Sequence, residues 1–290
     1  MLIARIFAQA RAFPDKPAFI HNGVICTYAA FARRIAAAHR LLSTRRLRSG
    51  SVAVLCMASH AEAWVWGIAV RRLGLVTVVA ESLDQLRGTS FNDVSCFMTS
   101  AGEPPHPELG AWLAGKAIDD ICLPASADLD MSIELASPVS TVRPAGHIQL
   151  TSGTTGTSKK IMRDALDEER GIDMNAGVYG ISAASVVYLR DFPLSTAGGF
   201  RWPLMCWLQG ATVIFQQWRD FHLPHLRYEL TDVFATPSVL SWLTGRHGNE
   251  LHRDERVRLF VVAGALPRAL AAAIKERLGW QILILLGSTE

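Results

Sequence analysis

The chain has 290 residues, half of them hydrophobic, with a formal net charge of +3. This gives ample core for one large or two moderate globular domains and excludes a disordered chain. The basic excess is spread out, with only Arg45, Arg46 and Arg48 closely clustered, which argues against nucleic acid or a membrane surface as a partner.

Taken in order, Thr27 to Leu42 reads as an amphipathic helix with Phe31, Ile35, Ala38 and Leu42 on one face and Thr27 as its N-cap. Ser51 to Met57 is a short apolar strand, Ala61 to Leu73 a helix and Leu75 to Ala80 a second strand, which together make a βαβ unit. Gly74 sits where the helix would be capped, and Trp64 and Trp66 are expected in the core. From Glu81 to Ala145 the pattern weakens and no element is assigned; Pro138 to Gly146 reads as a loop leading into a strand at His147 to Leu150.

Leu150 to Lys160 reads LTSGTTGTSKK. Glycines let the backbone approach a ligand and converge successive N–H groups on an anion, hydroxyls add donors, and Lys159 adds a charge. The chemistry is phosphate binding. Ser158 stands where a Walker A loop starting at Gly153 would need glycine, and no GxGxxG occurs, so neither common nucleotide signature applies.

Met162 to Gly180 reads as partly helical, and its acidic cluster of Asp164, Asp167, Glu168 and Glu169 as a solvated face. Val186 to Leu189 and Ala211 to Phe215 are strands flanking DFPLSTAGGFRWPLMCWLQG. A further strand at Val233 to Ala235 runs into Thr236-Pro237-Ser238 and a short helix. Arg258 to Val262 is followed by Ala263-Gly264-Ala265-Leu266-Pro267 and a helix with Leu270, Ile274 and Leu278 on its apolar face, Pro267 in its first turn and Gly279 beyond its end. Gln281 to Leu286 reads as a strand buried on both faces.

The alternation of strands and helices predicts an α/β fold of layered, mainly parallel sheets with flanking helices, its ligand sites at the carboxyl ends of strands. The cysteines Cys26, Cys56, Cys96, Cys122 and Cys206 are odd in number and lack a CxxC pair, which argues against a disulfide framework or zinc and for a reducing cytoplasm. Arg71 and Arg72 interrupt the apolar run from Ala61 to Ala80, and Arg5 lies in the short apolar start with no cleavage pattern after it. Neither a membrane span nor a signal peptide is expected. His222, His225, His247 and His252 lack the HExxH form of a zinc site, and no GxSxG elbow surrounds a serine.

TSGTTGTSK resembles the phosphate loop of the adenylate-forming superfamily, which includes acyl-CoA synthetases, peptide-synthetase adenylation domains and luciferases. ARAFPDKPAFI, TYAAF and RRLGLVTVV look like the opening segment and first core motifs of that family, and LGSTE like its YGxTE motif with Leu286 for tyrosine. The resemblance implies ATP-dependent activation of a small-molecule carboxylic acid: its carboxylate attacks the α-phosphorus, pyrophosphate leaves, and a thiol such as coenzyme A takes the acyl group. It implies phosphate contacts from Thr151, Ser152, Gly153, Thr154, Thr155, Gly156, Lys159 and Thr289, with Lys159 and Glu290 catalytic and Glu290 holding magnesium. Gly264, Ala265, Leu266, Leu286, Gly287 and Ser288 would meet adenine. Thr196, in place of the usual histidine, would stand with Gly198, Gly199 and Trp202 at an acyl pocket.

The resemblance covers the N-terminal part of the family's catalytic unit, with subdomains of about 1–165 and 166–290, and the C-terminal lid domain with its adenylation lysine is not in the sequence. A separate C-terminal domain or a carrier protein is therefore an expected partner. The alternative is a non-catalytic nucleotide-binding or interaction protein derived from the same fold.

Overall fold

A computed structural model of the chain describes residues 2–86, 91–101, 113–114, 118–132, 145–151, 159–190, 192–216, 228–246 and 253–285. After α1 (Leu2–Ala12), a hairpin of β1 (Pro17–His21) and β2 (Val24–Thr27) turns through Asn22 and Gly23, both at positive φ. An Asn-Gly pair favours that tight turn. Next come α2 (Tyr28–Ser43), β3 (Val52–Cys56), α3 (His60–Arg72) and β4 (Val76–Ala80). The caps follow the sequence: the Ala30 N–H donates to Thr27 Oγ1, the Glu62 N–H to Ser59 Oγ, and Gly74 takes a φ of +84° after α3.

The stretch after Glu81, where no element was assigned, holds β5 (Val94–Ser100) and β6 (Asp119–Leu123). Then β7 (His147–Thr151) and β8 (Lys159–Arg163) pair antiparallel, so Met162 belongs to a strand and the helix α4 starts only at Ala165 and runs to Tyr179. Asp164 caps it, accepting the N–H groups of Leu166 and Asp167. The remaining elements are β9 (Val186–Arg190), a π-helical turn (Ala197–Arg201), α5 (Trp202–Leu208), β10 (Thr212–Gln216), β11 (Asp232–Ala235), α6 (Pro237–Arg246), β12 (Arg258–Val261), α7 (Arg268–Leu278) and β13 (Gln281–Ile284). Pro267 is the residue just before α7, one position earlier than expected, and Gly279 ends it at a φ of +68°.

Among the described residues the strands form a seven-stranded sheet, ordered β13-β12-β11-β9-β10-β1-β2, and a six-stranded sheet, ordered β6-β5-β3-β4-β7-β8. All pairs are parallel except β1–β2 and β7–β8. The central strands are apolar on both faces because each face meets a different core. Phe19, Val187, Leu189, Phe215, Phe234 and Phe260 of the first sheet share the middle core with Ala53, Leu55, Val79 and Met98 of the second, and α2, α3 and α5 fill the space between. Trp64 and Trp66 are fully buried, and Trp64 meets Phe19 and Trp207 edge-on at 5.3 and 5.1 Å. The alternate residues, such as Ile20, Tyr188, Val233 and Leu259, face an outer core under α6 and α7.

Two expectations fail for physical reasons. The run read as a strand buried on both faces is described as β13 (Gln281–Ile284), which among the described residues is the last strand of its sheet, with Leu283 39% and Ile284 52% exposed. The acidic cluster is not wholly solvated either. Glu168 is fully buried and ion-paired with Arg71, itself 3% exposed, while the Arg71 Nε–H donates to Ala145 O at 3.2 Å. Gly171, inside α4, leaves the space that Arg201 occupies, since a Cβ there would lie 2.5 Å from its Nη2. All five cysteines are free thiols, and no helix among the described residues is long and apolar enough to cross a membrane.

Candidate functional site

Parallel strands deliver their following turns to one edge, and here those turns lie side by side. The Leu285 N–H donates to Val261 O at 2.9 Å and the Val262 N–H to Ala235 O at 3.1 Å. The residues leading to position 286, the turn 263–266 and the turn 236–238 therefore stand in a row. Gly264 faces the ring of Pro237, with room for a Cβ at 3.4 Å from its Cγ. Ala263 is held at a φ of +58°, a conformation that costs an L-residue energy, and Gly264 and Ala265 after it are exposed. Leu266 is half-buried against the outer core. Beside this turn, Thr236 and Ser238 share a hydroxyl hydrogen bond of 2.8 Å at the start of α6.

The next position in the row is the chain after β9. Thr196 donates its hydroxyl to Pro193 O at 2.7 Å and its N–H to the same oxygen at 2.9 Å, so this side chain is committed to closing a turn. Gly198 and Gly199 are buried in the π-helical turn, where a Cβ would lie 2.4 Å from Phe192 Cγ and 2.3 Å from Pro193 O respectively. No larger residue fits. Trp202 is partly buried and packs at 5.0 Å on both Phe192 and Phe234, with Phe234 stacked on Phe260 at 4.6 Å. Gly198, Gly199 and Trp202 thus form the tightly packed support of this turn.

The phosphate-loop residues Ser152, Gly153, Thr154, Thr155 and Gly156 lie outside the described residues, as do Leu286, Gly287, Ser288, Thr289 and Glu290. The ends of the loop are described: Thr151 closes β7, Lys159 opens β8, and the two residues are paired across the hairpin. Lys159 is exposed. The N–H of Leu150, one residue before the loop, donates to Ser195 O at 3.0 Å, which ties the hairpin of one sheet to the post-β9 turn of the other.

Sequence reasoning missed the groups that hold this junction from below. Nε2 of His60, the first residue of α3, lies 3.0 Å from Phe192 O and 3.4 Å from Glu81 Oε1. The Leu194 N–H donates to the same Glu81 oxygen at 3.3 Å, and Gln85 Nε2 donates to the other at 3.1 Å. Burial holds the His60 imidazole down at about 4, and burial with the neighbouring His60 does the same to His21. His147, buried in β7 and stacked on Phe200 at 4.6 Å, is pushed down to about 3 by burial and then by Arg71. No periodicity or motif marks such residues, because their partners are far away in the chain.

Among the described residues no group of three or more His, Cys, Asp or Glu is arranged to hold a metal ion. A separate open groove of about 590 Å³ lies between α1 and the ends of α4 and α5, lined by Arg5, Asp173, Gly177, Ser182 and Gln209 among others, and contains none of the expected site residues.

Comparison with known proteins adds a family and a set of folds. A family model described as AMP-binding enzyme matches residues 6–290. The N-terminal subdomain of Klebsiella oxytoca NpsA, solved with 3-hydroxybenzoyl-AMSN, superposes with a TM-score of 0.76 at 20% identity, over 99% of this chain and 72% of that one. The inhibitor-bound N-terminal domain of FACL13 from Mycobacterium tuberculosis gives a TM-score of 0.79 at 15% identity, over 100% and 76%. O-succinylbenzoate coenzyme A synthetase (MenE) from Bacillus subtilis, in complex with AMP, gives 0.75 at 19% identity, covering 99% of this chain but only 59% of its own. At these identities the likeness is one of fold. No curated protein matches the sequence.

Proposed function

The chain belongs to the AMP-binding enzyme family, and we propose that its site activates a carboxylic acid with ATP to give an acyl-adenylate and pyrophosphate. The observation that carries this reading is the Leu150–Ser195 hydrogen bond, which sets the ends of the loop hairpin against the row of turns at the carboxyl edge of the seven-stranded sheet. A nucleotide spanning that junction would place its triphosphate at the loop, with Thr151 to Gly156 and Lys159 around it, and its base at Gly264 to Leu266. Leu286, Gly287 and Ser288 would complete the adenine contacts, and Thr289 would add a hydroxyl to the phosphates. Thr196, Gly198, Gly199 and Trp202 would border the acid.

An anionic carboxylate must approach a polyanionic triphosphate in line, so positioning and charge neutralisation dominate the barrier. Lys159, at the mouth of the hairpin, would neutralise phosphate charge as pyrophosphate departs. Magnesium fits on donor chemistry, a hard cation shared between a carboxylate and phosphate oxygens, with Glu290 as the carboxylate. The Leu285–Val261 hydrogen bond supports this by starting the segment that carries Glu290 beside the 263–266 turn. When bound, magnesium would screen charge on the phosphates.

Transfer of the acyl group to coenzyme A or a carrier protein, a separate C-terminal domain as partner, a cytoplasmic setting and a division near residue 165 belong to the same reading. On the last point, β3 to β8 fall in one sheet and β9 to β13 in the other, but the β1–β2 hairpin joins the later one.

Isothermal titration of Mg·ATP into the chain, beside a Lys159→Ala/Glu290→Ala double variant, tests the proposal. Binding that the double variant loses is expected, and no binding by the folded chain would overturn it. Binding without pyrophosphate release from any carboxylic acid, with or without a C-terminal domain added, would favour a non-catalytic nucleotide-binding protein.

A further inference from the structure

The turn after β9 belongs by sequence to the seven-stranded sheet, yet its backbone groups bond to the other layer. Phe192 O lies against His60, the Leu194 N–H against Glu81, and Ser195 O accepts from Leu150. Both neighbours of His60 Nε2, a carbonyl and a carboxylate, are acceptors, so that nitrogen carries the proton. Nδ1 is then a buried acceptor with no partner, a desolvation cost accepted to keep the ring in place. Glu81 is oriented in turn by Gln85, whose amide meets both its carboxylate and its backbone N–H. The ring of His60 is also wedged against Phe215 at 4.1 Å and Trp64 at 5.9 Å, which leaves it little freedom to swing.

We propose that Glu81 and His60 are positioning residues for nucleotide binding: they fix the Phe192–Ser195 turn, and through the Leu150–Ser195 bond they fix where β7 enters the phosphate loop. Neither touches the nucleotide. The inference rests on the reading given under Proposed function and adds two residues to it. The Gln85–Glu81–Leu194 and His60–Phe192 contacts hold two residues, Phe192 and Leu194, just before the one that bonds the strand of the loop. A shift of that turn would be passed directly to Leu150.

The test is Mg·ATP affinity, measured at a temperature where every variant is folded. Glu81→Ala and His60→Ala are expected to weaken Mg·ATP about tenfold, as for loss of a charge-assisted hydrogen bond. Glu81→Gln alone would set its amide NH2 against the Gln85 amide NH2, so it is paired with Gln85→Glu. The Glu81→Gln/Gln85→Glu double variant keeps an acceptor for the Leu194 N–H and reverses the donor and acceptor of the 81–85 side-chain contact, and it should bind within about twofold of the parent, a tolerance set by the small contribution of a well-formed neutral hydrogen bond. Glu62 is the control. Its carboxylate accepts from the Ser126 N–H and hydroxyl at 2.8 and 2.9 Å and anchors the 126–128 segment, whereas the bonds to the 192–195 turn named above come from other residues, so Glu62→Ala should lower the melting temperature and leave Mg·ATP affinity unchanged.

Parent-like affinity of Glu81→Ala, or equal weakening by Glu62→Ala, would overturn the proposal while leaving the nucleotide site standing. Loss in Glu81→Gln/Gln85→Glu as large as in Glu81→Ala would overturn it too, since geometry would then not be what matters. A parent chain that binds no Mg·ATP would instead remove the reading on which the proposal rests.

Discussion

Ala263 is the clearest case of a single residue held against its preference. Its positive φ lies between a buried strand end and an exposed turn, and the hydrogen bond of Val262 to β11 fixes the strand side. Glycine would relieve the αL cost of roughly 1–2 kcal/mol but lose about 0.5–1 kcal/mol in chain entropy, so Ala263→Gly should raise stability in urea unfolding by about 0.5 kcal/mol. Valine at the same place should lower it. The buried histidines give a pH signature. With folded pKa values near 4 for His60 and 3 for His147, the folded state refuses protons that the unfolded chain takes up below its ordinary pKa of about 6.5. Their stabilising effect is full above that value and is lost as pH falls towards the folded values, by on the order of 2 kcal/mol each at pH 5. Unfolding free energies at pH 7 and 5 for the parent, His60→Asn and His147→Asn check this: each variant should show a smaller drop.

At the scale of elements, the Arg71–Glu168 pair joins α3 to α4 across 97 residues. Removing one partner strands a charge in the core, so Arg71→Met should destabilise by about 3–5 kcal/mol, while Arg71→Met/Glu168→Met should recover much of that loss. Chemical denaturation of Arg71→Met, Glu168→Met and the double variant decides it. The same pair shows why the acidic cluster was misread: a glutamate beside Asp167 and Glu169 looks solvated until the chain brings an arginine to it. Elements with strong local patterns were legible, among them α2 with its Thr27 cap, the β3–α3–β4 unit with Gly74, and α7 with Gly279. Strands β5 and β6 were not, since β6 is two aspartates followed by three residues and acquires its strand character only by pairing with β5. Asn22-Gly23 is a local hairpin signal that the sequence carries between β1 and β2. Met162 was drawn into the helix because nothing local separates KKIMR from the residues after it, whereas pairing with β7 does.

The molecule as a whole joins two sheets through one packed layer and a few hydrogen bonds at their shared edge, among them the Leu150–Ser195 bond. A ligand that bridges the edge should therefore stabilise the assembly. Mg·ATP at 100 times its dissociation constant should add about 2.7 kcal/mol to the unfolding free energy, a shift visible by scanning calorimetry and lost in Lys159→Ala/Glu290→Ala. The motifs suggest the proposed place of such a ligand because each follows a strand. They could not tell what holds the motifs in register, since His60, Glu81 and Leu194 are ordinary residues until the sheets meet.

The first strand of the chain finds its second neighbour late. Phe19 pairs with Val213, 194 positions further on, and among the described residues β2 has only β1 beside it. On the ribosome, at about 5–20 residues per second, the apolar β1 waits roughly 10–40 s for β10 to be made. During that interval the hairpin is a sticky flap, and the six-stranded sheet can already close behind it. Stalled nascent chains ending before β10 should lose this hairpin to protease, and chains long enough to free β10 from the exit tunnel should keep it.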